Sequence, residues 1–183
     1  MIKNSTASYG WLAIAIHWVS ALLVIGLFAL GYWMLTLSYY DPWYRLGPWW
    51  HKSIGISLLV ITLVRSIWKF YTVSPQPLGA RWEQLGAKLG HGIIYALLFV
   101  TMISGYLIST ADGRGISVFD WFEVPALITG IPNQEDLAGL VHWYAALALV
   151  IVAAGHALAA LKHHFINRDD TLKRMLVSKH IND

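Results

Sequence analysis

Four apolar stretches dominate the pattern of hydrophobic and polar positions: about 12–37, 49–71, 91–110 and 140–161. Each is close to the ~20 residues that an α-helix needs to cross a bilayer. Tryptophan and tyrosine crowd their ends, among them Trp11, Trp33, Tyr39, Tyr40, Trp43, Trp49, Trp50, Trp68 and Trp143. Such amphipathic rings belong where one edge is wet and the other is in lipid. The first connection, SYYDPWYRLGPWW, is short and aromatic. The long connection ADGRGISVFDWFEVPALITGIPNQED has Gly and Pro around an amphipathic SVFDWF stretch, for which a short interfacial helix is expected. After the last stretch, NRDDTLKRML opens with acids and puts Leu172, Met175 and Leu176 at helical spacing, which predicts an amphipathic tail helix over about 169–178.

Composition agrees with lipid as the solvent. Of the 183 residues, 57% are hydrophobic and only 13% charged, half the share in a soluble domain. The net charge of +3 does not point to nucleic acid, because the cations sit at the ends of apolar runs and form no basic stripe. They also fall mostly on one side. Lys3, Arg65, Lys69, Arg81, Lys88, Lys162, Arg168, Lys173, Arg174 and Lys179 share it, against Arg45, Lys52 and Arg114 on the other. The positive-inside rule then puts both termini in the cytoplasm. The polar N-terminus lacks the form of a cleaved signal, so the first stretch is read as retained. The expected fold is an all-α membrane protein, a four-transmembrane-helix bundle forming one domain over 1–183. The chain has no cysteine, which excludes disulfides, iron–sulfur clusters and thioether-linked haem.

The eight histidines lie mostly in or beside the spans, where an ionisable group is costly and marks function more often than not. A lone intramembrane His also serves as an interhelical hydrogen-bonding group, so the arrangement matters more than any one residue. Traced through the bilayer, His17 falls near the inner end of the first span, His51 at the outer start of the second and His91 at the inner start of the third. The fourth span carries His142 outside and His156 inside. Fourteen residues separate these last two, so they point nearly the same way and lie ~21 Å apart along the axis. Only His51 faces His142. His17 and His91 compete for His156, and depth favours His17: its nearest preceding charge, Lys3, is fourteen residues away, whereas Lys88 is three residues before His91. Two imidazole pairs, each joining two helices, suit the axial positions of two haems better than the four close ligands of zinc. A metal site at His156, His163 and His164 is an alternative. Gly31 and Gly105 lie fourteen residues after His17 and His91, where a missing side chain admits a porphyrin edge or lets helices pack closely. Arg65, fourteen after His51, is a candidate for a haem propionate or a quinone oxygen, or else a simple positive-inside anchor.

The stretches AIHWVSALLV, WYRLGPWWHKSIGI, LGHGIIYALLF, SGYLISTADGRGISVF, LVHWYAALALVIVAAGHALAALKHHF and DDTLKRM resemble the bacterial cytochrome b561 family over nearly the whole chain. The resemblance implies a multi-pass inner-membrane protein with two b haems, ligated at positions matching His17, His51, His142 and His156. It implies electron exchange with ubiquinone near positions matching His91 and His163, and superoxide as a periplasmic donor. The inner connection, SPQPLGARWEQLGAKLGH, departs from the Lys/Pro-rich run of a characterised member; Arg81 or Lys88 would substitute for its lysine. An electron path from a periplasmic donor through two haems to ubiquinone is the leading expectation, with Arg45, Lys52 and Arg114 steering an anion to the outer haem. The alternative is an electron-transfer subunit that passes quinol electrons to a periplasmic redox protein.

Overall fold

A computed structural model describes residues 2–178. Among them are four helices long and apolar enough to cross a membrane: α1 (Trp11–Met34), α2 (Trp43–Tyr71), α3 (Arg81–Ser109) and α4 (Gln134–Lys162). Three start six to ten residues before the apolar runs, because the helix outlasts the span. At α3 the cause is visible: the Glu83 carboxylate accepts the Ala80 N–H at 2.8 Å, half of a capping box. Glu135 and Asp136 in the first turn of α4 complement the positive end of its dipole.

The large apolar side chains of these helices point outward, as Leu22, Ile25, Val64, Ile103 and Ile151 do, and this is the face that lipid solvates. Small polar residues are turned in. Ser20, Ser53, Thr62, Ser104 and Thr110 are buried, and Ser20, Ser104 and Thr110 return their hydroxyl protons to the carbonyl four residues back at 2.7–2.9 Å. Such back-bonding satisfies these three hydroxyls in a dry interior.

Two expectations are corrected. The SVFDWF segment forms no helix: Ile116–Val118 (β1) and Phe122–Val124 (β2) make an antiparallel hairpin, with Val118 opposite Phe122. Ile116 and Val118 are each 2% exposed while Ser117 between them faces out, a strand period of two. The turn carries two left-handed residues without Gly, Phe119 (φ 51) and Asp120 (φ 58). Such strain persists only when neighbours over-determine it. Here Ser53 Oγ accepts the Phe119 N–H at 3.1 Å, Asp120 Oδ1 accepts from Ser117 Oγ and Trp49 Nε1, and the Phe119 ring packs against Trp49, Trp50 and Trp121. The tail is not a regular helix either. A π-helical turn at His163–Asn167 leads through left-handed Arg168 (φ 56) to one 3₁₀ turn, Lys173–Met175. The tail's acids turn back on neighbours instead of capping a helix, and Trp18 Nε1 holds it by donating to the Met175 carbonyl at 2.7 Å.

The chain divides into two compact units. The first comprises Met1–Ala21, Ile61–Ile94 and Ile151–Asp183; the second comprises Leu22–Val60 and Tyr95–Val150. The first contains His17, Arg65, His91, His156 and His163, and the second His51 and His142.

Candidate haem-binding sites

In the second unit, α2 and α4 bring His51 and His142 together with ring centroids 6.1 Å apart and planes at 69°. Metal–imidazole bonds are about 2 Å and a ring nitrogen lies about 1 Å from its ring centre, so an iron between two imidazoles sets their centroids about 6 Å apart. The pair fits. His142 Nδ1 stands 2.8 Å from the Thr101 carbonyl. A carbonyl only accepts, so Nδ1 carries the proton and the Nε2 lone pair is free for a metal, the usual outer-shell arrangement of a ligating His. His51 Nδ1 is buried without a hydrogen-bond partner.

Both glycines singled out from spacing touch these rings. A Cβ on Gly31 would stand 3.1 Å from His51 Cε1, and one on Gly105 would stand 3.0 Å from His142 Cε1. Each clears room for an imidazole rather than only for a neighbouring helix. The rings line a cavity of about 480 Å³ with Val24, Leu27, Phe28 and Leu149, of the size and apolar character of cofactor sites. Lys52, Asp112, Arg114 and Glu135 also line it. Lys52 and Arg114 therefore share this cavity, whereas Arg45 is exposed and not among its lining residues. Arg114 is paired with Asp112, and that contact holds the Asp112 carboxyl below its ordinary range. The pairing offsets much of the charge by which Arg114 would steer an anion.

In the first unit three imidazoles converge. His17 and His156 have centroids 6.4 Å apart and planes at 72°; His91 and His156 are 4.9 Å apart, too close for an iron between them. Of the two separations from His156, that of His17 is the one an iron could bridge. One contact conditions the fit. Arg65 Nη2 lies 3.0 Å from His17 Nδ1; a guanidinium only donates, so Nδ1 accepts and the ring proton sits on Nε2. Ligation through Nε2 requires Arg65 to release Nδ1. Spacing makes Arg65 a candidate for a haem propionate or a quinone oxygen, or a positive-inside anchor; its contact with the His17 imidazole is not legible from spacing.

His163 Nδ1 lies 2.6 Å from Asp169 Oδ2 and 3.2 Å from Asn167 Nδ2, and its Nε2 stands 4.0 Å from Glu83 Oε1. No spacing signal in the sequence ties Glu83 or Asp169 to His163, and no side-chain pattern reveals the Thr101 carbonyl. Among the described residues no group of three or more His, Cys, Asp or Glu is arranged to hold a metal ion, so the His156, His163, His164 alternative gains no support.

Comparison with known proteins agrees with this chemistry. Cytochrome b561 homolog 2 of Escherichia coli is 50% identical over 175 residues, covering 94% of this chain and 93% of that protein. The probable superoxide oxidase CybB of Yersinia pestis is 29% identical over 178 residues, with 93% and 97% covered. Cytochrome b561 homolog 1 of Escherichia coli is 30% identical over 172 residues, with 89% and 93% covered. The family model for prokaryotic cytochrome b561 matches residues 8–177, and with four helices able to span a membrane the chain belongs to that family of b-haem proteins of membrane electron transfer.

Proposed function

We propose that this inner-membrane cytochrome carries electrons from a periplasmic one-electron donor to ubiquinone through two b haems, one held by His51 and His142 and one by His17 and His156. The observation that carries the reading is the pair of centroid separations, 6.1 and 6.4 Å, in a chain whose family binds b haem. The haems would supply one-electron chemistry at iron, and ligation of each by two imidazoles would suit transfer rather than oxygenation. The chain's own residues bind and orient. Thr101 fixes the His142 ring, Gly31 and Gly105 admit the two imidazoles, and the outward apolar side chains keep water from the helices. Arg65, once off His17, supplies a guanidinium for a carboxylate such as a haem propionate. The charge asymmetry supports cytoplasmic termini, which puts the His51/His142 site on the periplasmic side.

Superoxide as donor is supported by the resemblance to a probable superoxide oxidase and by Lys52 and Arg114 at the His51/His142 cavity. The hairpin favours a second reading, in which quinol electrons leave through a docked periplasmic redox protein: Trp121 is 83% and Phe122 54% exposed beside that site. Stopped-flow mixing of the purified, haem-loaded protein with superoxide and decylubiquinone separates the two. Haem reduction by superoxide followed by quinone reduction is the expected result. Haems that stay oxidised in superoxide refute that donor. If they are then reduced by decylubiquinol, the docking reading stands.

A further inference from the structure

The long connection between α3 and α4 carries an uncharged edge. Residues 124–132 read VPALITGIP, with one hydroxyl and no charge. Leu127 is 79%, Ile128 47% and Ile131 49% exposed. Large aliphatic side chains set this close together on a surface mark a face that something apolar covers.

Hydrogen bonds fix the height of this edge. Tyr106, in the last turn of α3 before Ser109, donates its hydroxyl proton to the Pro125 carbonyl at 2.9 Å and accepts the Leu127 N–H at 2.7 Å. Gln134, the first residue of α4 and 6% exposed, donates through Nε2 to the Leu107 and Ile128 carbonyls at 3.0 and 3.2 Å. The segment is therefore tied level with Tyr106 and Leu107, about 3–5 Å short of the α3 end at ~1.5 Å per residue. That level lies inside the charge-free stretch between Lys88 and Asp112, while Glu135 and Asp136 at the start of α4 mark where water begins.

The same bonds remove the need for water at the backbone. Pro125 and Pro132 bring no N–H. The Leu127 amide and the Pro125 and Ile128 carbonyls pair with side chains, and the Ile131 carbonyl accepts the Gln134 N–H at 3.2 Å. Irregular backbone can approach the hydrocarbon only where the protein itself satisfies such groups.

We propose that residues 125–131 form a lipid-seated edge, in which Leu127, Ile128 and Ile131 enter the boundary between headgroups and acyl chains. They continue the lipid-facing surface that Ile103, 51% exposed on α3, begins, and Tyr106 and Gln134 stand in for water at the backbone. An edge offered to a soluble partner would stand clear of the helix end instead of being drawn back along it. The seat also bears on the hairpin: β2 leads directly into it, and Ile116 of the paired β1 lines the His51/His142 cavity.

The chain has no cysteine, so Leu127→Cys, Ile128→Cys and Ile131→Cys each take one nitroxide label. The full, haem-loaded protein in phosphatidylethanolamine/phosphatidylglycerol proteoliposomes is then measured by EPR power saturation, with oxygen, which concentrates in lipid, and with nickel–EDDA, which stays in water. Ile103→Cys is the lipid reference and Glu123→Cys, exposed on β2, the water reference; an unchanged haem absorption spectrum shows that each labelled chain is folded. The oxygen-to-nickel relaxation ratio at all three positions should be severalfold higher than at Glu123→Cys and approach that at Ile103→Cys. A ratio no higher than at Glu123→Cys overturns the proposal and leaves the edge open to a soluble partner. Low accessibility to both reagents also overturns it, because a second copy of the chain then covers the edge. Adding Tyr106→Phe to Leu127→Cys should lower the ratio as the unpaired backbone draws water in; an unchanged ratio overturns the part assigned to Tyr106.

Discussion

Gly105→Ala tests the haem assignment where the geometry is tightest. The added Cβ would stand 3.0 Å from His142 Cε1 and 3.1 Å from Nδ1, against about 3.5–4.0 Å for ordinary contact. The ring must retreat by roughly half an ångström. Its bond to the Thr101 carbonyl is 2.8 Å, and that retreat stretches it past the ~3.2 Å limit of a sound hydrogen bond. The lost bond costs about 1 kcal/mol, and outer-shell lesions of a ligating His lower metal affinity about 10–100-fold, or ~1.4–2.7 kcal/mol. The helix itself is not weakened, since Ala exceeds Gly in helix propensity by about 1 kcal/mol.

The expected phenotype is therefore a folded protein with one labile haem. Gly26→Ala is the matched control, because nothing lies within 4 Å of a Cβ at that position. Transfer of haem to excess apomyoglobin should show one of the two haems leaving Gly105→Ala about 10–100-fold faster than it leaves the parent. Gly31→Ala, with contacts of 3.1 and 3.6 Å to His51, should show a smaller change. If Gly105→Ala releases haem no faster than Gly26→Ala, His142 does not ligate in this geometry.

Other perturbations read the remaining contacts. His142→Ala should lose one haem and His156→Ala the other, while His91→Gln keeps both; haem-to-protein ratios decide, and a haem lost with His91 would make it the partner of His156. Arg65→Met should leave haem content unchanged and lower one midpoint potential by tens of millivolts, because a nearby cation favours the less positive reduced iron; potentiometric titration shows whether either haem shifts. Asp169, held at about 2 against an ordinary 3.8, contributes stability above its ordinary value that is lost as pH falls through about 2. Hydrogen-exchange protection of the Thr171 amide, which donates to Asp169 Oδ1 at 2.8 Å, should hold from neutral pH to about 4 and then fall, and Asp169→Asn should lower it at every pH.

The long elements were legible because lipid imposes a simple rule: a span is a run of apolar residues with every backbone group bonded internally. The helix ends were less legible. RWEQLGAKLG at the start of α3 is no apolar run, and its helix is announced only by Glu83 three residues beyond Ala80. The hairpin was hidden in its turn. I-S-V and F-E-V alternate as strands do, but Phe119 and Asp120 adopt left-handed conformations without the Gly or Asn that usually signals them. Their support comes from Trp49 and Ser53, more than sixty residues away in sequence. Depth and helix period placed His51 near His142 and His17 near His156, whose rings lie 6.1 and 6.4 Å apart, because both quantities follow from counting along a regular helix; they did not place His91 still closer to His156, at 4.9 Å. Arg65 on His17 and Asp169 on His163 did not follow: the first depends on a side chain reaching across helices, the second on a π turn that breaks the count.

The contrast between the two sites is chemical as well as positional. Around His142, a carbonyl acceptor sets the proton on Nδ1 and frees the nitrogen a metal needs. Around His17, a guanidinium donor does the opposite, and a third imidazole from His91 stands 4.9 Å from His156. Three convergent rings exceed the two axial positions of one iron. In the proposed assignment His17 pairs with His156, and His91 is then a nitrogen-bearing group with no iron to bind. Such a ring beside a haem is suited to hydrogen-bond a substrate oxygen, which is why its replacement should spare haem content while slowing quinone chemistry.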